Sequence, residues 1–341
     1  MYNVEIIGTG RYLPDHRVRN DDIAQFVDTS DAWISERTGI KERRISTGEN
    51  TTDLAVEAAR RALEDAGLRA EELDLIIVAT VTPDNFFPST ACLVQARLGA
   101  TQAVAFDISA ACTGFIFALN IASQFIKTGQ CRKALVIGSE VLSKITDWAD
   151  RNTCVLFADG AGAAVLQRGE QGIISELTGS DGSGGEKLTC RAVPLKNKFI
   201  GNDYKPENSS EPENFAGDFI SMNGREIFKF AVKIMPECIR KVLENTGYSL
   251  QDIKQIIPHQ ANIRILEAAA KKLDVDIDKF YVNLQHYGNT SGASIPIALD
   301  EMAKNGLLHP GDLLIIVGFG GGLTYGAQLL RWTKKEEKQN A

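Results

Sequence analysis

The sequence predicts an α/β protein made of two duplicated halves, each a sheet covered by helices, and three observations carry that expectation. Set against itself at an offset of 180 residues, the chain places Ala59-Arg60-Arg61-Ala62-Leu63-Glu64 on Ile239-Arg240-Lys241-Val242-Leu243-Glu244, and Gly67 on Gly247. The same offset sets Leu73, Ile76 and Ile77 on Ile253, Ile256 and Ile257, and Leu135-Val136-Ile137-Gly138 on Ile315-Ile316-Val317-Gly318. Three landmarks in one order without a gap describe a repeated helix–strand unit rather than a chance match. The second observation is a set of short continuous apolar runs, and the third is the amphipathic helical spacing that alternates with them.

Element by element, the opening MYNVEIIGTGRYLP is a short apolar run that reaches Gly8 without a basic flank. It does not read as a secretory signal, so the chain is expected to be cytoplasmic. From Thr52 to Ala66 the residues Leu54, Ala55, Ala58, Ala59 and Ala62 fall on one helical face. Thr51 or Thr52 is placed to cap its start and Gly67 to end it. The runs LDLIIVAT and KALVIGS, and DLLIIVGFG in the second half, are bounded by charge or glycine, as strands buried on both faces should be. SAACTGFIFALNIASQFI places small residues before an amphipathic helical run, and HYGNTSGASIPIAL repeats that arrangement under the offset. QIIPHQANIRIL reads as a strand that ends at His259 and leads into an amphipathic segment. The halves are divided as 1–175 and 176–341 within one compact catalytic unit. Between Leu166 and about Ile220, where DGSGGEK and GNDYKPENSSEPENFAGD collect Gly, Ser, Asn and Pro, lies a surface excursion too long for a simple connection.

Composition removes several function classes. The 341 residues hold 37 Lys plus Arg against 44 Asp plus Glu, a net charge of −7, which excludes a general affinity for nucleic acid. At 44% hydrophobic and 24% charged residues, a sizeable core is available. The longest apolar stretches, such as Leu75 to Val81 and Leu313 to Val317, are far short of the ~18–20 residues a bilayer span needs, so no membrane association is expected. The six cysteines, Cys92, Cys112, Cys131, Cys154, Cys190 and Cys238, form no CxxC pair and no zinc spacing with histidine, so they read as reduced thiols and no metal is expected. Asn50, Asn208 and Asn289 begin N-x-[ST] sequons, which carry little weight without a secretory signal.

Four places could do chemistry. Cys112 sits where small residues precede a helix, and a helix N-terminus can lower a cysteine pKa from about 8.5 into a range of roughly 3.5–7.5. A cysteine among alanines is also common core filler, and the other five keep that reading. His259 closes a strand, where catalytic groups gather in α/β folds. Its counterpart under the offset is Ala79, so one half places a titratable ring where the other keeps a methyl group. A structural histidine is the competing reading, and His16, His286 and His309 are left there. Asn289 lies on a turn that the offset sets on the turn of Cys112, and is either a cap or a site residue. Gly318 to Gly326, GFGGGLTYG, is neither a phosphate loop nor a dinucleotide fingerprint. It is either a bare turn or an oxyanion hole, whose N–H donors are worth about 10²–10³ in rate each.

Together these segments resemble the β-ketoacyl-acyl-carrier-protein synthase III family, condensing enzymes on a thiolase-like, five-layered αβαβα fold. The resemblance runs nearly end to end. It includes Asp31-Ala32-Trp33 with Glu36-Arg37-Thr38-Gly39-Ile40, Pro83-Asp84-Asn85-Phe86-Phe87-Pro88, the Cys112 turn and Phe157-Ala158-Asp159-Gly160-Ala161-Gly162-Ala163. In the second half it includes Pro258-His259-Gln260-Ala261-Asn262, Gly288-Asn289-Thr290-Ser291 and Gly318-Phe319-Gly320-Gly321-Gly322. The resemblance implies a Cys112–His259–Asn289 triad with the backbone N–H groups of Cys112 and Gly321 as oxyanion donors. It implies that an acyl-CoA primer, acetyl-CoA by default, acylates Cys112, and that malonyl-acyl carrier protein then condenses with it to 3-oxoacyl carrier protein. His259 and Asn289 would hold the enolate formed as carbon dioxide leaves, and no metal or redox cofactor would be needed. Trp33, Arg37, Arg151 and Asn262 would bind CoA. Gln260, Ala261, Asn262, Ile263 and Arg264 would meet the carrier protein. Leu142 and Phe157 would line the acyl pocket, which Phe87 would close across a homodimer. The segment from about Lys187 to Phe219 is longer than in compact relatives, which leaves branched or longer primers open.

Rival readings differ at named residues. A degradative thiolase would carry a second cysteine in GFGGGLTYG, elongating condensing enzymes have a second histidine where Asn289 stands, and plant-type polyketide synthases usually have a proline in the glycine loop. A catalytically silent acyl binder would have a damaged triad. A synthase III homologue of secondary metabolism, with a different acyl donor or acceptor, is the remaining enzymatic alternative.

Overall fold

The computed structural model describes residues 2–193, 199 and 219–334. The principal strands are β1 (Asn3–Tyr12), β2 (Leu75–Ala79), β3 (Val104–Ile108), β4 (Lys133–Val141), β5 (Asp159–Gly169), β6 (Ile173–Ser180), β7 (Ile253–Pro258), β8 (Leu313–Gly320) and β9 (Thr324–Arg331). The principal helices are α1 (Thr51–Ala66), α2 (Gly114–Lys127), α3 (Gly224–Leu243), α4 (Ile263–Leu273) and α5 (Ser294–Lys304).

The duplication is visible in the pairing. One sheet runs β1–β5–β4–β2–β3 and the other β6–β9–β8–β7, with parallel pairs β4/β2 and β8/β7 at matching places and the remaining shared pairs antiparallel. A lone parallel bridge from Phe280 to Ile256 stands where β3 pairs with β2 in the first sheet. Alternate residues of each strand feed different cores, because strand side chains point to opposite faces. Ile76 and Val78 pack with Leu54, Ala58 and Ala62 of α1, whereas Leu75 and Ile77 pack with Phe115 and Leu119 of α2. Leu314 and Ile316 join that same middle core, and Ile315 and Val317 turn instead to Met235 and Ile239 of α3. Helices α2 and α5 therefore lie between the sheets, α1 covers the first and α3 with α4 the second, which is the five-layered αβαβα order of a thiolase-like fold.

Two local expectations are corrected. The cap of α1 is Asn50, neither Thr51 nor Thr52: its Oδ1 accepts the Thr51 N–H at 3.0 Å and its own N–H donates to Asp53 at 2.7 Å. Thr51 is buried and spends its hydroxyl on the Thr82 carbonyl. At the other end Gly67 does take the left-handed conformation, φ 63°. Its counterpart does not close α3, which ends at Leu243 with Asn245 at φ 61° before Gly247 is reached. The chain changes sheet at 170–172, a few residues before the division drawn at 175, and β6 pairs with β9 from Ile173 to Ser180 with one register shift. Gly and Ser content had marked the excursion that follows rather than the strand pairing.

Of that excursion, residues 194–198 and 200–218 lie outside the described residues, as does Asn208. Its stems are described: Leu188–Thr189 pairs antiparallel with Ser221–Met222.

Candidate active site

The two helices of the middle layer begin in the same unusual way. Ala111 opens a 3₁₀ turn, Ala111–Thr113, at φ 46°, and Ser291 opens the matching turn, Ser291–Ala293, at φ 49°. Left-handed backbone at a non-glycine residue is uncommon and is kept only where the surroundings enforce it. Here the turns enforce one another, since they pack together and a Cβ at Gly292 would stand 3.3 Å from the Ala111 carbonyl. Cys112 lies on the first turn, buried, and lines the same cavity as Ser291.

His259 follows β7 directly, and its N–H donates to the Val317 carbonyl at 2.8 Å, extending the β7–β8 pairing by one residue. Its ring is 1% exposed, stands edge-on to Phe319 at 5.5 Å, and has Nδ1 2.8 Å from Ser294 Oγ. Burial drives its pKa down to about 3, so the imidazole is neutral. Asn289 is clamped through its backbone, donating to the Leu156 carbonyl and accepting from the Ala158 N–H, each at 2.9 Å. Its side-chain Oδ1 accepts the Ser291 N–H at 2.9 Å, which leaves the amide nitrogen as the end available to donate.

The glycine run completes the site. A Cβ at Gly320 would stand 2.8 Å from the Cys112 backbone nitrogen and 3.0 Å from its Cβ, so only glycine lets β8 pass this close to the nucleophile turn. Thr324 joins the two segments: its hydroxyl lies 2.7 Å from Thr113 Oγ1, 3.2 Å from the Ala110 carbonyl and 3.0 Å from the Gly321 carbonyl.

Two cavities meet here. The inner one, about 840 Å³, is lined by Cys112, Leu142, Phe157, Ile220, Ser291 and Gly321, among others, and by the stem 188–193. The outer one, about 1430 Å³, is lined by Trp33, Arg37, Asn262 and Arg264 together with Lys187, Arg225 and Lys229. Thr189 lines both, so the two adjoin. The guanidinium carbons of Arg37 and Arg151 lie 4.8 and 4.9 Å from the Trp33 ring centre.

Residues 106–182 match the family model of 3-oxoacyl-[acyl-carrier-protein] synthase III, and residues 243–332 match the model of its C-terminal part. A β-ketoacyl-[acyl-carrier-protein] synthase III of Clostridium novyi (strain NT) is 60% identical over 333 residues, which are 97% of this chain and 100% of that one. One of Clostridium acetobutylicum is 58% identical over 335 residues, covering 98% and 100%. The chain belongs to the β-ketoacyl-acyl-carrier-protein synthase III family. The crystal structure of 3-oxoacyl-[acyl-carrier-protein] synthase III from Aquifex aeolicus VF5, 50% identical, shares its fold with a TM-score of 0.88 over 96% of this chain and 100% of that one.

In this member of the synthase III family, several expected details change. The Cys112 thiol is not lowered: the Ser291 hydroxyl favours the thiolate, but burial outweighs it and pushes the pKa up to about 11. Gln260 and Ala261, expected to meet a carrier protein, are buried in the chain, which leaves them little surface to offer one. The Gln260 amide instead donates to the Pro258 and Tyr281 carbonyls and accepts from Asn283 and Leu284. Asn262, Ile263 and Arg264 remain at the start of α4, where Asn262 accepts the Arg264 N–H at 2.9 Å and donates to the Arg37 carbonyl at 3.0 Å. Phe87 is 86% exposed and outside its own chain's Cys112 cavity, which Phe86 helps line, an arrangement that does not conflict with the expectation that Phe87 serves a partner chain.

Sequence reasoning missed Ser291, Ser294, Thr324 and Glu140. Glu140 is fully buried in β4 and accepts from Thr82 at 2.6 Å, from Thr80 at 3.2 Å and from the Val81 N–H at 3.1 Å. Burial raises its pKa to about 7. The signal for it was a charge in an otherwise apolar strand, KALVIGSEV.

Proposed function

We propose that this chain starts type II fatty-acid synthesis by condensing an acyl-CoA primer with malonyl-acyl carrier protein through an acyl-Cys112 intermediate. The observation that carries the reading is a buried cysteine on a constrained turn, lining an inner cavity that adjoins an outer cleft edged with Trp33, Arg37 and basic side chains. In the first half-reaction the Cys112 sulfur forms a bond to the thioester carbon as the bond to the CoA sulfur breaks, and the thiol proton leaves with CoA. Since the resting thiol is neutral, deprotonation accompanies attack, and the developing oxyanion is met by the Cys112 and Gly321 N–H groups. In the second, carbon dioxide leaves the malonyl group, the electron pair passes to the thioester enolate held by N–H donors of His259 and Asn289, and the carbanion displaces Cys112 as a thiolate, which takes up one proton from solvent to restore the neutral thiol. The leaving groups are CoA and carbon dioxide, so the sequence balances without a metal or redox cofactor.

Trp33, Arg37, Asn262 and Arg151 suit the nucleotide and pantetheine of CoA by stacking and charge. Arg37, Arg264, Lys187, Arg225 and Lys229 outnumber Glu186 and Glu226 in the lining of the outer cleft, which gives an acidic carrier protein a locally basic surface despite the net −7. The exposed Phe87 and the open edge of β3 favour a homodimer in which Phe87 closes the partner's acyl pocket, alongside Leu142 and Phe157. No helix among the described residues is long and apolar enough to cross a membrane, and a cytoplasmic setting is part of the proposal.

The test is intact-protein mass spectrometry after mixing with straight and branched acyl-CoAs, then malonyl-acyl carrier protein. The expected result is an adduct on Cys112 that malonyl-acyl carrier protein discharges as 3-oxoacyl carrier protein. A Cys112→Ser protein that acylates at the normal rate overturns the reading, and the acyl group accepted identifies the primer.

A further inference from the structure

The role given to His259 demands one tautomer. To donate to an enolate oxygen, Nε2 must carry the proton and Nδ1 must be bare, and which nitrogen is protonated is set by the partner of the other. Among the described residues no ion pair to this ring is found, so no paired charge chooses the tautomer. The choice falls to the group at Nδ1, the Ser294 hydroxyl at 2.8 Å.

A hydroxyl can donate or accept, but its surroundings restrict this one. The Gln260 N–H is directed at the same oxygen at 3.4 Å, so the oxygen already has a donor. Ser294 is buried at the first residue of α5. If Nδ1 also donated to it, two N–H groups would crowd one oxygen and the serine hydrogen would need a further buried acceptor. With the hydroxyl donating to Nδ1, each group is satisfied at once: Gln260 N–H to Oγ, O–H to Nδ1, and Nε2–H free to donate.

The duplication supplies an independent observation. Under the offset of 180, His259 falls on Ala79 and Ser294 on Gly114. In the first half a Cβ at Gly114 would stand 2.9 Å from the Ala79 Cβ, so that pair is in direct contact too. One contact in the shared frame thus holds methyl against glycine in one half and imidazole against hydroxyl in the other. Both members differ together, as a pair with a joint task requires.

We propose that Ser294 is a positioning residue of the condensation, holding His259 as the Nε2–H tautomer by donating its hydroxyl hydrogen to Nδ1. The proposal rests on the reading of His259 as an enolate donor. It makes the acceptor ends of both donors protein-bound, His259 through Ser294 and Asn289 through the Ser291 N–H.

The experiment separates the half-reactions. Self-acylation is followed by intact mass, and discharge of pre-acylated enzyme by malonyl-acyl carrier protein is timed separately, for wild type, Ser294→Thr, Ser294→Ala and Ser294→Asp. Thr keeps the hydroxyl and is expected to retain both steps. Ala removes the selecting donor, and condensation is expected to fall about 10- to 100-fold with self-acylation changed far less. Asp can only accept, imposes Nδ1–H, and is expected to condense more slowly still than Ala. Nitrogen-15 shifts of labelled histidine, assigned among the four by loss of a signal in His259→Gln, should give a pyridine-like Nδ1 and a pyrrole-like Nε2 in wild type. Protonated Nδ1 in wild type, equal loss of both steps in Ala, or failure of Thr to retain condensation overturns the proposal. The nitrogen shifts of wild type decide the matter even if Asp does not fold. His259→Ala that condenses normally would instead remove the reading of His259 itself.

Discussion

At Cys112 the Ser291 hydroxyl favours the thiolate, while burial opposes it and prevails. The nucleophile therefore depends on position more than on its resting charge. Gly320 controls that position, since any side chain there would meet the Cys112 backbone nitrogen at 2.8 Å. Gly320→Ala is expected to slow self-acylation about 100-fold or more, because displacing a reacting atom by about 1 Å has that cost. Single-turnover acylation alongside a melting curve checks this, and an unchanged rate would refute it. His259 and Glu140 make opposite contributions to pH-dependent stability. The histidine is held near 3, below its unfolded value of 6.5, so the unfolded chain binds the extra proton and stability is lost as pH falls from about 6.5 toward 3. Glu140 is raised from 4.5 to about 7, so its contribution is lost as pH rises through that window. Urea titrations across pH should show His259→Gln with a shallower acid limb than wild type, and Glu140→Gln gaining on wild type between pH 5 and pH 8. Parallel curves would contradict both.

Among the elements, the contact of α1 with β1 sets how closely the outer layer approaches the first sheet. The alanine face of α1 rests on Gly8 and Gly10, and a Cβ at Gly10 would stand 2.4 Å from the Ala58 carbonyl and the Ala62 nitrogen. Backbone atoms cannot swing aside as side chains do. Gly10→Ala is expected to lose about 3 kcal/mol, the upper end of overpacking costs. Asn50→Ala, which removes the cap of α1, should lose about 1 kcal/mol. Denaturant midpoints rank the two, and equal losses would mean that helix approach is not the tighter constraint.

Over the whole molecule, the first sheet ends at β3, whose Val104 is 60% exposed, near a chain segment that carries Phe86 and Phe87 into solvent. An open strand edge beside exposed aromatics is a surface that pairs. The protein is expected to sediment as two chains, and Phe87→Asp to sediment as one while accepting a different range of primers. A wild-type monomer of full activity would contradict this.

The helix α1, the strands around Ile76, Val136 and Ile316, and the duplication that relates the halves were legible in the sequence, because apolar period and offset are properties of the chain alone. Cys112, His259 and Asn289 were singled out there through turn chemistry and the asymmetry of His259 against Ala79, and they are the residues on which the proposed reaction rests. The cap at Asn50, the burial of Gln260 and Ala261, and the sheet change at 170–172 were not, since each depends on which segments lie across from one another. The thiol's pKa was misjudged for the same reason: local helix position favours ionisation, but desolvation is set by everything packed around the sulfur. Ser294 beside His259 and Thr324 beside Thr113 are separated by 35 and 211 residues, and only the folded layers bring them into contact.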